Sequence, residues 1–83
     1  MADVELTSEA QQQAAELPKS IRARLYRVLE RLSNWPNISG AKPLTGNLIG
    51  RYRVRTGDYR IQFHVTGDVV TVEKIGHRKR FYD

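Results

Sequence analysis

The chain has 83 residues, with 14 Lys or Arg against 9 Asp or Glu, and therefore a formal net charge of +5. A chain of this length forms one domain around a single small core. It contains no cysteine, which excludes disulfides and thiolate metal sites. No secretory signal opens the chain, and no apolar run approaches the roughly 20 residues of a membrane helix. We therefore expect one cytoplasmic domain spanning residues 1–83.

The first third of the chain predicts a short strand followed by two helices. Residues 3–7 alternate polar and apolar side chains, which is typical of a half-buried strand. Ser8 and Gln11 fit a capping box that begins the first helix, and Pro18 restarts the helical register. The second helix carries an apolar stripe of period 3.6, which we expect to lie in the core. The residues of this stripe are Ile21, Leu25, Val28, Leu29 and Leu32.

The second half of the chain predicts an antiparallel sheet. Two prolines and two glycines interrupt any regular pattern in residues 33–47, where Trp35 is expected to close one end of the core. The hydrophobic period then changes from 3.6 to 2, and two Gly-Asp turns separate three strands. Strands joined by such tight turns form a meander. The predicted fold is therefore α+β: an N-terminal strand, a helical hairpin, and a three-stranded antiparallel meander with the helices packed on one face.

The other face of the predicted meander is unusually basic. Four arginines and a histidine should project onto it, with only Glu73 to offset them; they are Arg51, Arg53, Arg55, Arg60 and His64. Like charges opposite each other destabilise a sheet, so a bound polyanion explains this face better than solvent does. If the third strand keeps period 2, His77 shares the same face. The basic and aromatic residues that follow suit single-stranded RNA, whose bases stack on rings and guanidinium planes.

Several short motifs occur in a characteristic order along essentially the whole chain. They are Lys42-Pro43-Leu44-Thr45-Gly46, Leu48, Gly50-Arg51-Tyr52-Arg53-Val54-Arg55, Gly57-Asp58-Tyr59-Arg60, Gly76-His77-Arg78 and Tyr82. In this order and spacing they resemble the RelE/ParE toxin superfamily, and within it the RelE-like branch of messenger RNA interferases. The order of strand, helical hairpin and meander is similar as well.

The resemblance implies the toxin of a type II toxin–antitoxin system, acting as an endoribonuclease. RelE-type toxins enter the ribosomal A site and cut messenger RNA there without a metal or other cofactor. The 2′-hydroxyl attacks the adjacent phosphate and leaves a cyclic phosphate and a free 5′-hydroxyl. The resemblance further implies a cognate antitoxin that wraps the toxin, so that the two proteins form a hetero-oligomer.

The resemblance also implies roles for individual residues. Arg53 and Arg55 match positions that are lysines in the best-known member, whereas Arg60 and Arg78 match its arginines. All four are candidates to stabilise charge on the phosphate, since a guanidinium binds phosphate oxygens in bidentate fashion. Tyr82 matches a tyrosine that stacks on the substrate. Further RNA contacts are expected from Lys42, Arg51, His64, Lys79 and Arg80.

The identity of the general base stays open at this point. Arginine remains protonated far above neutral pH, so Arg53 is a poor replacement for a lysine that takes a proton. Histidine ordinarily titrates close to neutral pH, which makes His77 the first candidate as base or acid. His64 is the second candidate and Tyr82 the third.

Two other functions fit parts of the sequence. The ParE branch shares the fold but poisons DNA gyrase; its members tend to have a longer helical hairpin and to lack the set of arginines and histidine. A non-catalytic basic module that binds RNA or an antitoxin would need the arginines but no titrating group beside them.

Overall fold

A computed structural model of the chain describes residues 1–79. Along these residues, two helices precede most of a five-stranded sheet. The elements are β1 (Asp3–Leu6), α1 (Ser8–Ala15), α2 (Lys19–Leu32), β2 (Lys42–Pro43), a 3-10 helix (Gly46–Leu48), β3 (Arg51–Thr56), β4 (Tyr59–Thr66) and β5 (Val69–His77). In this part of the chain, neither helix has the length and apolar character needed to cross a bilayer.

The helical hairpin forms as predicted, with one difference at its start. The hydroxyl of Thr7 accepts a hydrogen bond from the backbone N–H of Ala10 at 3.1 Å, so Thr7 rather than Ser8 is the N-cap of α1. Pro18 precedes α2, where a residue without an N–H leaves no donor unsatisfied. The apolar stripe of α2 lies against the sheet, and its residues Leu25, Val28 and Leu32 are buried.

The sheet contains the predicted meander and one additional strand at each edge. The strand order is β1-β5-β4-β3-β2, in which β3, β4 and β5 are antiparallel neighbours. β1 pairs with β5 in parallel, and β2 pairs with β3 in antiparallel fashion. Both turns of the meander begin with a glycine of positive φ, +59° at Gly57 and +58° at Gly67, as type II′ turns require.

The core lies between the helices and one face of the sheet. Ile61 and Phe63 on β4 are fully buried, as are Val70 and Val72 on β5. The ring of Trp35 packs edge-on against Phe63, with 5.5 Å between ring centroids. Trp35 therefore closes one end of the core, which confirms the prediction made for it.

A β-bulge interrupts the pairing of β4 with β5. Phe63 lies opposite Val72, whereas the preceding residue of β4, Gln62, lies opposite Lys74. Glu73 is thus an extra residue in β5, and the alternation of that strand changes phase there. As a result, Ile75 lies opposite the buried Ile61 and enters the core at an odd position, although Val70 and Val72 do so at even positions.

A candidate nucleic-acid interface on the open side of the sheet

The face of the sheet that the helices leave open carries three rows of paired side chains. Across β3 and β4, Arg51 lies opposite His64, Arg53 opposite Gln62, and Arg55 opposite Arg60. On the edge strand β2, Lys42 lies opposite Arg53. The register therefore brings together the four arginines and the histidine that the sequence predicted to share a face, and β2 adds Lys42. We call this group the basic face; it comprises Lys42, Arg51, Arg53, Arg55, Arg60 and His64.

Part of the basic face borders a cleft of about 420 Å³ beside the end of β3 that β2 does not cover. Lys42, Arg53 and Arg55 line this cleft together with Arg31 of α2. A guanidinium nitrogen of Arg31 donates a hydrogen bond to the carbonyl of Ser39 at 2.7 Å, which holds the side chain at the cleft. Sequence reasoning missed Arg31, because helical spacing shows only that this residue points away from the core. The cleft gathers four cations that a polyanion could bind.

Glu73, the extra residue of the bulge, lies at one end of the basic face. Its carboxylate oxygen Oε1 is 3.0 Å from Nε of Arg51 and 3.3 Å from Nδ1 of His64. Its second oxygen, Oε2, is 3.3 Å from the same Nε. The exposed fractions of the side chains are 21% for Glu73, 38% for Arg51 and 36% for His64. The carboxylate is thus more buried than the side chains of Arg51 and His64, which remain open to solvent.

Arg78 lies at the opposite end of the basic face. Its backbone N–H donates to the carbonyl of Asp58 at 2.8 Å, and its Nε is 3.8 Å from the Asp58 carboxylate. Asp58 belongs to the turn between β3 and β4, which follows the pair Thr56 and Tyr59, one row beyond Arg55 and Arg60. Arg78 therefore lies toward the end of the sheet that carries Arg55 and Arg60, and its catalytic role stays a prediction. Its ion pair with Asp58 is weak, because both side chains are more than half exposed.

The prediction that His77 shares the basic face is wrong. The bulge at Glu73 changes the phase of β5, so His77 lies opposite Tyr59, with 5.4 Å between the ring centroids. The two rings border a cleft of about 390 Å³ on the helix side, which Glu16 and Leu17 also line. The backbone N–H of Lys79 donates to Nδ1 of His77 at 3.2 Å. The predicted role of His77 as general base therefore has no support from the basic face.

The remaining candidates lie at the carboxyl end of the chain. Lys79 is exposed in the turn after β5. Arg80 and Tyr82 lie outside the described residues, and their roles stay predictions. Between residues 1 and 79, no three or more His, Asp or Glu side chains are grouped as metal ligands.

Comparison with known proteins identifies the family of the chain. The sequence pattern of the family described as ParE toxin of type II toxin-antitoxin system, parDE, matches residues 4–82. Toxin RelE3 of Methanocaldococcus jannaschii is 33% identical over 70 residues, which cover 81% of this chain and 80% of that protein. The chain therefore belongs to the RelE/ParE family and is a RelE-family toxin of the type II toxin–antitoxin class.

Solved structures of RelE-type proteins agree with this assignment. In the RelBE2 toxin–antitoxin complex of Mycobacterium tuberculosis, one chain superimposes with a TM-score of 0.83 at 28% identity, covering 93% of this chain and 98% of that one. A chain of the RelB–RelE antitoxin–toxin complex of Methanococcus jannaschii gives 0.80 at 29% identity, with 95% of each chain covered. The α+β fold predicted from the sequence is thereby confirmed.

Proposed function

We propose that this toxin is an endoribonuclease that cleaves messenger RNA in the ribosomal A site, in the cytoplasm and without a metal ion. The 2′-hydroxyl of the substrate attacks the adjacent phosphate, which leaves a 2′,3′-cyclic phosphate and a free 5′-hydroxyl. The observation that carries the proposal is the basic face, where cations from three neighbouring strands lie side by side.

The arrangement of these cations supports phosphate binding over simple solubility. Arg55 and Arg60 are directly opposed across β3 and β4, so one anion could contact both guanidinium groups. Each guanidinium presents a planar set of donors that matches two phosphate oxygens. A phosphorane carries more negative charge than the ground-state diester, so donors already in place stabilise it preferentially. In this proposal Arg53, Arg55, Arg60 and Arg78 supply those donors.

The residues around this set would hold the rest of the message. Lys42, Arg51, Lys79 and Arg80 bind neighbouring phosphates, and Tyr82 stacks on a base. For single-stranded RNA, each phosphate contact makes the slope of the logarithm of the binding constant against the logarithm of the salt concentration steeper by about 0.7. Binding of RNA should therefore weaken steeply as salt is added. A flat salt dependence would argue against the basic face as the RNA site.

A translation extract tests the activity itself. The purified toxin is incubated with a defined message, with and without EDTA, and cuts are mapped by primer extension. We expect cuts at discrete positions in both samples, with cyclic phosphate at the new 3′ ends. Free RNA is tested in parallel, which shows whether the ribosome is required. An intact message in every sample would reject the proposal.

A cognate antitoxin is the second part of the proposal. Related toxins were solved as complexes with RelB antitoxins, including those of Mycobacterium tuberculosis and Methanococcus jannaschii. We propose that a similar antitoxin wraps this chain and blocks the basic face. Co-expression with the product of a short neighbouring gene should then restore growth, and the two proteins should copurify.

Gyrase poisoning is the alternative function, because the matched family pattern is described by the ParE toxin. A ParE-like toxin would produce gyrase-linked DNA breaks and leave the message intact. Incubation with gyrase, supercoiled plasmid and ATP therefore separates the two activities. The basic face favours the nuclease, because its cations on three neighbouring strands form a surface that can bind the RNA backbone.

A further inference from the structure

Arg51 and His64 of the basic face form a cluster with Glu73, an acid to which the family resemblance gives no role. Within the described residues, Glu73 is the acid that contacts this face, and it reaches the face because the bulge supplies an extra residue. An acid in a phosphate-binding surface weakens binding by repulsion. Its presence there therefore calls for a second function.

Glu73 contacts two side chains of the basic face. Because Nδ1 of His64 faces the carboxylate at 3.3 Å, the neutral imidazole carries its proton on Nδ1 and presents the lone pair of Nε2 away from Glu73. Arg51 contacts the carboxylate through Nε, which leaves its two terminal nitrogens as further donors. A carboxylate that holds an imidazole in one tautomer is the arrangement that activates a nucleophile in hydrolytic triads.

The position of His64 places it beside phosphate-binding groups. Arg51 lies directly opposite on β3, and Arg53 is the diagonal neighbour in the adjacent row. Diagonal partners across two strands are about 7–8 Å apart, which is within reach of a long arginine side chain. A phosphodiester held by Arg51 and Arg53 would therefore lie next to Nε2 of His64.

We infer that His64 is the general base of the RNA cleavage and that Glu73 is the residue that positions it. This inference rests on the proposed nuclease function and adds its proton acceptor. It also places the scissile phosphate beside Arg53, in the row next to His64, so that Arg51 contacts this phosphate as well as its neighbour.

The step balances with groups already present in the protein, the RNA and water. Nε2 of His64 accepts the proton of the 2′-hydroxyl while the O2′–P bond forms. The P–O5′ bond breaks, its electron pair stays on O5′, and that oxygen takes a proton from water to give the 5′-hydroxyl. The imidazolium returns its proton to solvent, and Glu73 stabilises the positive charge that His64 carries in between.

Single-turnover cleavage by excess toxin tests the inference, in the assay in which the wild type cuts. We expect His64→Gln to lower the maximal rate by about 100-fold or more, the usual effect of losing a general base. Glu73→Gln should lower the maximal rate by roughly tenfold or more. The toxin concentration at half-saturation should stay the same or fall in Glu73→Gln, because repulsion of the RNA is removed.

The maximal rate of Glu73→Gln, compared with its half-saturating concentration, separates positioning of His64 from charge balance. If Glu73 only neutralised its neighbours, Glu73→Gln would tighten binding and leave the maximal rate unchanged, and that result would overturn its assigned role. Asp68→Asn is the matched control, since Asp68 is exposed in the turn between β4 and β5. It removes a carboxylate from the same hairpin and should leave both quantities unchanged.

A rescue experiment keeps the test independent of folding. Added imidazole should restore part of the rate to His64→Ala, as it can replace a missing proton acceptor but cannot repair a fold. An unchanged rate in His64→Gln, or loss of rate in His77→Gln alone, would overturn the inference while the nuclease function stands. If the wild type cuts no RNA at all, the proposed function fails and this inference fails with it.

Discussion

The two halves of β5 bury different alternate residues in the same core. Even-numbered residues are buried before the bulge, and an odd-numbered residue is buried after it. Before the bulge, Val70 and Val72 are buried, and the residue between them, Thr71, lies opposite His64 on the open side. After the bulge, Ile75 is buried and His77 contacts Tyr59 on the helix side. A single additional residue in β5 accounts for the whole difference.

This difference links the core to the candidate site. The bulge keeps Ile75 buried, presents Glu73 to Arg51 and His64, and removes His77 from the basic face. A regular strand could satisfy the core with another sequence, but it would not supply the extra carboxylate. The bulge therefore shapes both the core and the candidate site.

Truncation of Phe63 should have the largest effect on folding, because Phe63 forms the last core pair before the bulge and is fully buried against Trp35. We expect Phe63→Ala to lower the free energy of unfolding by about 3–5 kcal/mol, measured by urea denaturation. His64→Ala, the next residue on the open side, should change it by less than about 1 kcal/mol. Similar losses for the two variants would contradict the assignment of faces on β4.

A pair of substitutions beyond the bulge tests the change of phase directly. Ile75→Ala should cost about 2–4 kcal/mol, since Ile75 is buried opposite Ile61. Lys74→Ala should cost less than about 1 kcal/mol. Uninterrupted alternation from Val72 would place Lys74 in the core and Ile75 outside, so the reverse order of these losses would show that the bulge is absent.

Hydrophobic periodicity was sufficient to predict most of the fold. The stripe of α2 and the alternation in β3 and β4 identify the buried side of each element, because an amphipathic element can bury only one face. The same alternation correctly placed Arg51, Arg53, Arg55, Arg60 and His64 together on the other face. These predictions hold wherever the period is constant over several residues.

The remaining features depend on tertiary contacts that periodicity does not report. β2 contains only two residues, one of them Pro43, and it is a strand only because β3 offers an edge. The bulge shifts the buried positions of β5 by one residue, and no glycine or proline in the sequence marks it. Constant alternation therefore predicts the wrong face for His77. Arg31 reaches the cleft through the packing of α2 against β3, which spacing along one helix cannot reveal.

Deletion of Glu73 should leave the fold in place. Without Glu73, Lys74 still lies opposite Gln62 and Ile75 opposite Ile61, and the ladder between β4 and β5 becomes regular. We expect the free energy of unfolding to change by no more than about 1 kcal/mol, since no core side chain is lost. Global unfolding of the deletion variant, seen by circular dichroism, would mean that the bulge itself stabilises the sheet.

Substitutions at the end of the basic face that lies far from the bulge should affect folding least and function strongly. Arg78 is exposed and Arg60 is half-buried, so Arg78→Ala should change the free energy of unfolding by no more than about 0.5 kcal/mol and Arg60→Ala by no more than about 1 kcal/mol. Both variants should nevertheless lose the growth arrest that follows expression of the wild type, because each removes a cation assigned to the RNA phosphates. Lys19→Ala at the start of α2 is a suitable control, as it removes a cation outside the basic face. If either arginine variant failed to fold, that arginine would be needed for the fold, and its assignment to RNA binding would be contradicted.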